Sequence, residues 1–340
     1  MITPALQLLR GALPDAAFWF WGPEFNAELF GREKNFGGFL PHPKGQGFGA
    51  YARLTRSLRA HRFDAAVLFA TQLRDVAICR LAGIPRVVGT LKKEARFLLD
   101  GGLRYEPARH RVSHYALLAE AAFASGYRHL PQMHLEPRQS DLTTAFRGPR
   151  IGLLLGGPHK GLRSYPPELA ARLLELLRGL SGHVFVLGDH LDAEAAARWL
   201  PSKDAPDVHV LAGKTTVGGL ADAIAGLDAL VTIDTGALHL AAALDVAFVS
   251  LVGFGTSAYC TVRPQSARGV HLLPPDGVFR DQDWIQSLLP ERVLAAVQLL
   301  LERREPATIA PYYGFEPASS PDNRLLSSIP GPGSHLRRDN

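Results

Sequence analysis

Asp234, Thr235 and Gly236 stand between a short apolar run, Leu227 to Ile233, and a stretch of small helix formers, Ala237 to Ala243. A strand that stops at Asp-Thr-Gly and feeds a helix at once leaves unpaired backbone N–H groups at the carboxyl edge of a sheet. Such an edge binds anions, phosphate above all. The same residues also read as an ordinary βα turn, with Thr235 as helix N-cap and Gly236 as a loop residue. His239, one turn into the helix, fits a donor to a phosphate oxygen or a core histidine packed beneath the helix.

A second cluster lies upstream, from Gly156 to Pro166, reading GGPHKGLRSYP. Gly156 and Gly157 allow close backbone approach. His159, Lys160 and Arg163 bring donors and positive charge, and an arginine binds phosphate through two N–H groups at once. Pro166 or Pro167 suits the first turn of a helix. Read alone, the stretch is equally a basic structural loop. In a parallel sheet, however, this loop and the Asp-Thr-Gly turn both emerge at the carboxyl ends of strands. Ligands bind along that edge, near a switch in strand order. The two loops together point to a nucleotide site.

Other candidate motifs fail on position. Gly213-Lys214-Thr215 resembles the end of a Walker A loop, but Val208 stands where its first glycine belongs. Gly45, Gly47 and Ala50 imitate a dinucleotide fingerprint, yet they follow Pro41 and Pro43 rather than a strand, so they read as a loop. HExxH and GxSxG are absent. The two cysteines, Cys79 and Cys260, belong to no CxxC pattern and read as small core residues in a reducing compartment. No DxD-type pair stands in a suitable loop, so no metal is expected.

These loops need a scaffold, and the chain supplies alternating strands and helices. In the first half, helices are expected at 4–10, 51–61, 73–81 and 110–123, and strands at 16–21, 65–70 and 86–88. In the second half, strands are expected at 151–155, 184–187, 208–211, 227–233 and 247–252. Helices there fall at 167–178, 193–199, 217–225, after the Asp-Thr-Gly turn, and at 290–301. Each half should form a parallel sheet covered on both faces. A polar, proline-bearing stretch, 131–149, separates them. The expected units are residues 1–140 and residues 150–303. The tail, 304–340, is rich in Pro, Ser, Gly and Arg and should be disordered.

Charge divides along the same line. Residues 1–149 hold 20 Lys+Arg against 12 Asp+Glu, and residues 150–340 hold 17 against 20. A basic first half suits an anionic partner. Arg53, Arg56 and Arg59, with Arg62, form a stripe on one helix, which is either a surface for that anionic partner or a solvated face. No zinc-finger spacing or RNA-binding motif supports nucleic acid as the partner. No apolar run is long enough to cross a bilayer.

The second half resembles the ADP-heptose:lipopolysaccharide heptosyltransferase family, glycosyltransferase family 9. The resemblance rests on GGPHKGLRSYP, then HVFVLGD at 183–189, LAGKTTVGGLADAIAGLDALVTIDTGALHLAAAL at 211–244, and VSLVGFG at 249–255. It extends more loosely through LRAHRFDAAVLF and HRVSHYALLAEA, to cover about residues 3 to 300. It implies an α/β GT-B fold: two Rossmann-like domains facing a cleft, the donor on the second and the acceptor on the first. It implies that Gly157, His159, Lys160, Arg163, Asp234, Thr235, Gly236, Ala237 and His239 serve the donor phosphates. The donor would be a nucleoside-diphosphate sugar, ADP-heptose, with no cofactor and no metal, transferred with inversion to an anionic glycolipid acceptor. The enzyme would be cytoplasmic, with room for peripheral contact at the inner membrane. Gly218 falls where some members carry a glutamate that bonds the ribose. Pro4-Ala5-Leu6 matches the family's first helix, so the family's first strand and its Gly-Asp, the general base, would lie before Met1. That would leave the catalytic base unassigned and expose an edge or a gap in the first sheet. It also admits a second reading, an inactive sugar-nucleotide-binding or scaffold relative.

Overall fold

A computed structural model of the chain describes residues 1–302 apart from 44–46, 92–93, 125, 127–128, 139, 181, 202–204, 256 and 279. The expected disordered tail and Gly45 therefore lie outside the described residues. The first half runs α1 (Thr3–Ala12), β1 (Phe18–Gly22), α2 (Phe25–Phe30), β2 (Phe36–Pro41), α3 (Phe48–His61), β3 (Ala65–Leu68), α4 (Leu73–Leu81), β4 (Arg86–Leu91), β5 (Gly101–Arg104) and α5 (Arg111–Phe123). A short helix, α6 (Asp141–Thr144), lies on the link to the second half. The second half runs β6 (Arg150–Leu154), α7 (Pro167–Arg178), β7 (His183–Val186), α8 (His190–Ala196), β8 (Val208–Val210), α9 (Val217–Ala225), β9 (Ala229–Ile233), α10 (Gly236–Ala243), β10 (Phe248–Leu251), α11 (Tyr259–Val262), β11 (Gly269–Leu272) and α12 (Pro290–Glu302).

The second half is one six-stranded sheet in the order β11-β10-β9-β6-β7-β8, with every pair parallel. Its strands are continuous apolar runs because helices cover both faces. All five residues of β9 and all four of β10 are buried. The order reverses between β6 and β9, where the crossovers from β6 lead one way and those from β9 the other. Adjacent loops diverge at such a point and leave a crevice at the carboxyl ends of the two strands.

The first half departs from expectation. Its strands are parallel, but they form two sheets, β1-β2 and β3-β4-β5, rather than one. β1 and β3 both line an apolar cavity of ≈ 700 Å³, covered by Leu6 and Leu9 of α1 and by Leu58 and Cys79. The indole N–H of Trp21, in β1, is buried there without a hydrogen-bond partner. The two sheets are thus separated by this cavity rather than joined by hydrogen bonds. Two small cores flank this half: Val88 of β4 packs with α1 and α5 on one face, and Val87 packs with α3 and α4 on the other. The strand expected at 16–21 begins only at Phe18.

Candidate active site

β6 and β9 are paired neighbours, with Leu153 beside Val231 and Leu154 beside Thr232. The loops that leave them therefore start side by side. After β6, Gly156 adopts φ 76°, a left-handed conformation that suits glycine. A 3-10 turn, Pro158–Arg163, follows, and Gly161 within it has φ 59°. After β9, Thr235 is the N-cap of α10 in extended conformation, and its side chain caps none of the helix N–H groups. The first turn of α10 thus keeps its backbone donors and the positive end of its dipole free for an anion.

The two loops meet. Arg163 Nη1 donates to the backbone carbonyl of Asp234 over 2.9 Å. Lys160 from the first loop and Thr235, Gly236 and Ala237 from the second line one cavity of ≈ 460 Å³. A side chain built on Gly236 would meet nothing within 4 Å, so the approach to the helix terminus is open. Burial raises the Asp234 carboxyl above its ordinary pKa, and the charge of Arg163 partly opposes that rise. His239 lines the same cavity, with its Nδ1 buried and unpartnered. Burial, together with nearby positive groups, pushes its pKa down to about 3, so it is a neutral imidazole at neutral pH.

Two carboxylates enter the site that the sequence reading did not assign. Asp189 is the N-cap of α8 and accepts from the backbone N–H groups of Leu191 and Asp192. Asp192 returns a bond to the Asp189 N–H and closes a capping box. His159 Nε2 lies 3.2 Å from Asp192 Oδ1 and 3.9 Å from Asp189 Oδ1, and Lys160 Nζ lies 3.5 Å from Asp189 Oδ2. Two of the basic groups assigned to phosphate thus already face acids. Burial alone would raise the Asp189 pKa. The Asp192 N–H, Lys160 and His159 outweigh it, and the carboxyl sits below its ordinary value. Gly157 is held by packing, since a side chain there would strike Ala195 of α8 at 2.5 Å. Arg53, Arg56 and Arg59 lie exposed on α3, opposite the buried Leu54 and Leu58, and line neither cavity.

The first half supplies the facing wall. Phe25, Leu29 and Phe30 of α2 line the cavity together with Thr216, Val217 and Leu220 of the α9 side. Residues 51–276 match the family described as glycosyltransferase family 9 (heptosyltransferase).

The chain belongs to glycosyltransferase family 9.

It is a glycosyltransferase by that membership, and its curated relatives agree. Lipopolysaccharide heptosyltransferase 2 of Salmonella typhimurium is 27% identical over 323 residues, covering 87% of this chain and 92% of that relative. The Escherichia coli protein of the same name is 26% identical over 327 residues, covering 88% and 94%. Among solved structures, E. coli ADP-heptose lps heptosyltransferase II superposes with a TM-score of 0.76 at 23% identity, over 88% of this chain and 94% of that one. The family 9 glycosyl transferase from Veillonella parvula gives 0.75 at 18%, over 88% and 92%. These likenesses fix the fold of this family 9 protein as GT-B. Among the described residues, no helix is long and apolar enough to cross a membrane.

Proposed function

We propose that this family 9 glycosyltransferase moves heptose from ADP-heptose to a lipopolysaccharide-core acceptor, in one inverting displacement that needs no metal. The acceptor hydroxyl attacks the anomeric carbon and releases its proton to solvent, and the bond from that carbon to the β-phosphate oxygen breaks. The nucleoside diphosphate leaves with a growing negative charge. The open first turn of α10 and the guanidinium of Arg163 stabilise that charge. The observation that carries this reading is the convergence of the two loops, tied by the Arg163–Asp234 bond at the switch point of the sheet. In this reading residues 150–303 bind the donor, through Gly157, His159, Lys160, Arg163, Asp234, Thr235, Gly236, Ala237 and His239. Residues 1–140 face the acceptor, and their basic surface suits an anionic glycolipid at the cytoplasmic side of the inner membrane.

The test is a transfer assay with labelled ADP-heptose and heptose-deficient lipopolysaccharide, run beside calorimetry with ADP. Transfer with inversion supports the proposal. Tight ADP binding without transfer leaves the sugar-nucleotide-binding reading. Absence of ADP binding overturns the donor site itself.

A further inference from the structure

Beside the donor cavity the two domains are bolted together by contacts that phosphate binding does not require. Gly218, in the first turn of α9, donates its N–H to Glu28 Oε2 of α2 over 2.7 Å. Arg32, just beyond α2, sets Nη1 2.5 Å from Asp222 Oδ1 of α9 and Nη2 3.4 Å from the Gly218 carbonyl. Its Nε donates to the Glu28 carbonyl over 3.2 Å, which fixes the guanidinium relative to α2. The Arg32 side chain is only 2% exposed, so this ion pair is largely shielded from water.

Gly218 is the informative residue. Its backbone is not in the left-handed region, so conformation does not call for glycine. A glycine within a helix is less favourable than alanine. A Cβ at this position, however, would stand 2.7 Å from Glu28 Oε2 and 2.9 Å from Glu28 Cβ. Only a bare backbone lets α2 come this close. On the cavity side, the same helix presents Phe25, Leu29 and Phe30. That wall is apolar, whereas Lys160 and the N–H groups of Gly236 and Ala237 lie on the other loops. The apolar wall therefore suits the flat, uncharged part of a nucleotide, and the charged loops suit its diphosphate.

We propose that Glu28, Gly218, Arg32 and Asp222 form an interdomain latch that positions α2 as the nucleobase wall of the donor cavity. Glu28 and Arg32 are positioning residues, acting through Phe25, Leu29 and Phe30. This inference rests on the donor reading above. Donor affinity is then set in part from the opposite domain, and the latch must part when the domains separate.

The test compares wild type with Gly218→Ala and Arg32→Lys, using ADP and inorganic pyrophosphate as probes in calorimetry. The latch predicts that Gly218→Ala binds ADP about tenfold more weakly. Pyrophosphate affinity stays unchanged, because the diphosphate loops are untouched. The melting temperature falls only modestly, because the helix propensity of alanine offsets part of the lost contact. Arg32→Lys keeps charge opposite Asp222 but loses the fork to Gly218, and weakens ADP to a smaller degree. Unchanged ADP affinity in Gly218→Ala, or a parallel loss of pyrophosphate, overturns the latch. Failure of wild type to bind ADP overturns the donor reading instead. Small-angle scattering then decides the latch separately: Gly218→Ala should enlarge the radius of gyration, and unchanged dimensions refute it.

Discussion

Arg163 donates from Nη1 to the main-chain carbonyl of Asp234 over 2.9 Å, joining the loop after β6 to the turn after β9. One bond of the guanidinium fork is spent on this tie, and the other N–H groups remain for a ligand. In the proposed donor reading Arg163 would both tie the two loops together and bring charge to the diphosphate. Arg163→Ala should weaken ADP binding by about 1.5–3 kcal/mol, the usual worth of a charged hydrogen bond. Arg163→Lys should recover part of that loss, since it restores charge without the fork. Asp234→Ala should weaken ADP as well, because it removes the acid that faces Arg163. Unchanged affinity in both alanine variants, read by calorimetry, would remove the donor-site assignment.

Gly236 tests the helix terminus without touching any charge. A Cβ there meets no protein atom within 4 Å, and the residue opens α10. Gly236→Ala should therefore fold at least as well as wild type, with a gain of up to about 1 kcal/mol from helix propensity. The added methyl group points into the space assigned to the diphosphate, so ADP affinity should fall. A variant that melts higher and binds ADP unchanged would place the diphosphate elsewhere.

The carboxylates of the site bear on the question of metal. His159, Asp189 and Asp192 bring possible ligand atoms within 4.8 Å of one another. Lys160 and the imidazole of His159 already face these carboxylates, at 3.5 Å and 3.2 Å. The Lys160 ammonium competes with a cation for the Asp189 carboxylate. Transfer measured after exhaustive EDTA treatment should match the untreated rate. A loss that Mn²⁺ restores would assign the three residues to a required ion.

How much of this was legible follows from where each signal resides. The runs ALVTI in β9 and HVFV in β7 are continuous and apolar because parallel strands are covered on both faces, so they stand out in sequence. β2, FGGFLP, and β5, GGLR, carry glycine and proline and acquire strand conformation only from their neighbours, so they escaped notice. Asp234 to Ala237 and Arg163 were visible because the chemistry of a strand-to-helix turn is local. Asp189 and Asp192 also had a local signal, the D-x-x-D spacing of a capping box. The arginine stripe of α3 was equally visible, yet periodicity shows only that Arg53, Arg56 and Arg59 share a face, not what the face meets. The Glu28–Gly218 contact joins residues 190 apart, and neither residue carries a local mark of it.

Buried histidines should make the fold sensitive to mild acid. Burial holds His239 at about 3 and His271 at about 4, against an ordinary 6.5, and His110, His114 and His209 are also lowered, first by burial. For a histidine depressed in the folded state, the unfolded chain takes up a proton first as pH falls through 6.5. Stability is therefore full above 6.5 and declines below it, until the folded pKa is reached. Each such histidine contributes a slope of up to about 1.4 kcal/mol per pH unit. Asp100, Asp189 and Asp207, whose pKa values lie below the ordinary 3.8, add their loss only at lower pH. Between pH 6.5 and 5 the histidines dominate, and the Met1 amino group, lowered by burial to about 6, adds a slope of the same sign only down to about pH 6. Urea midpoints taken across it should fall steadily for wild type, and less steeply for His239→Gln. His271 accepts or donates one hydrogen bond at Nδ1, to the Tyr259 hydroxyl at 2.7 Å, so its replacement removes a bond as well as a titration. His239 has no such partner at Nδ1, which makes it the cleaner probe. A urea midpoint that stays level from pH 6.5 to 5 in wild type would mean these rings are hydrated and charged in the native protein.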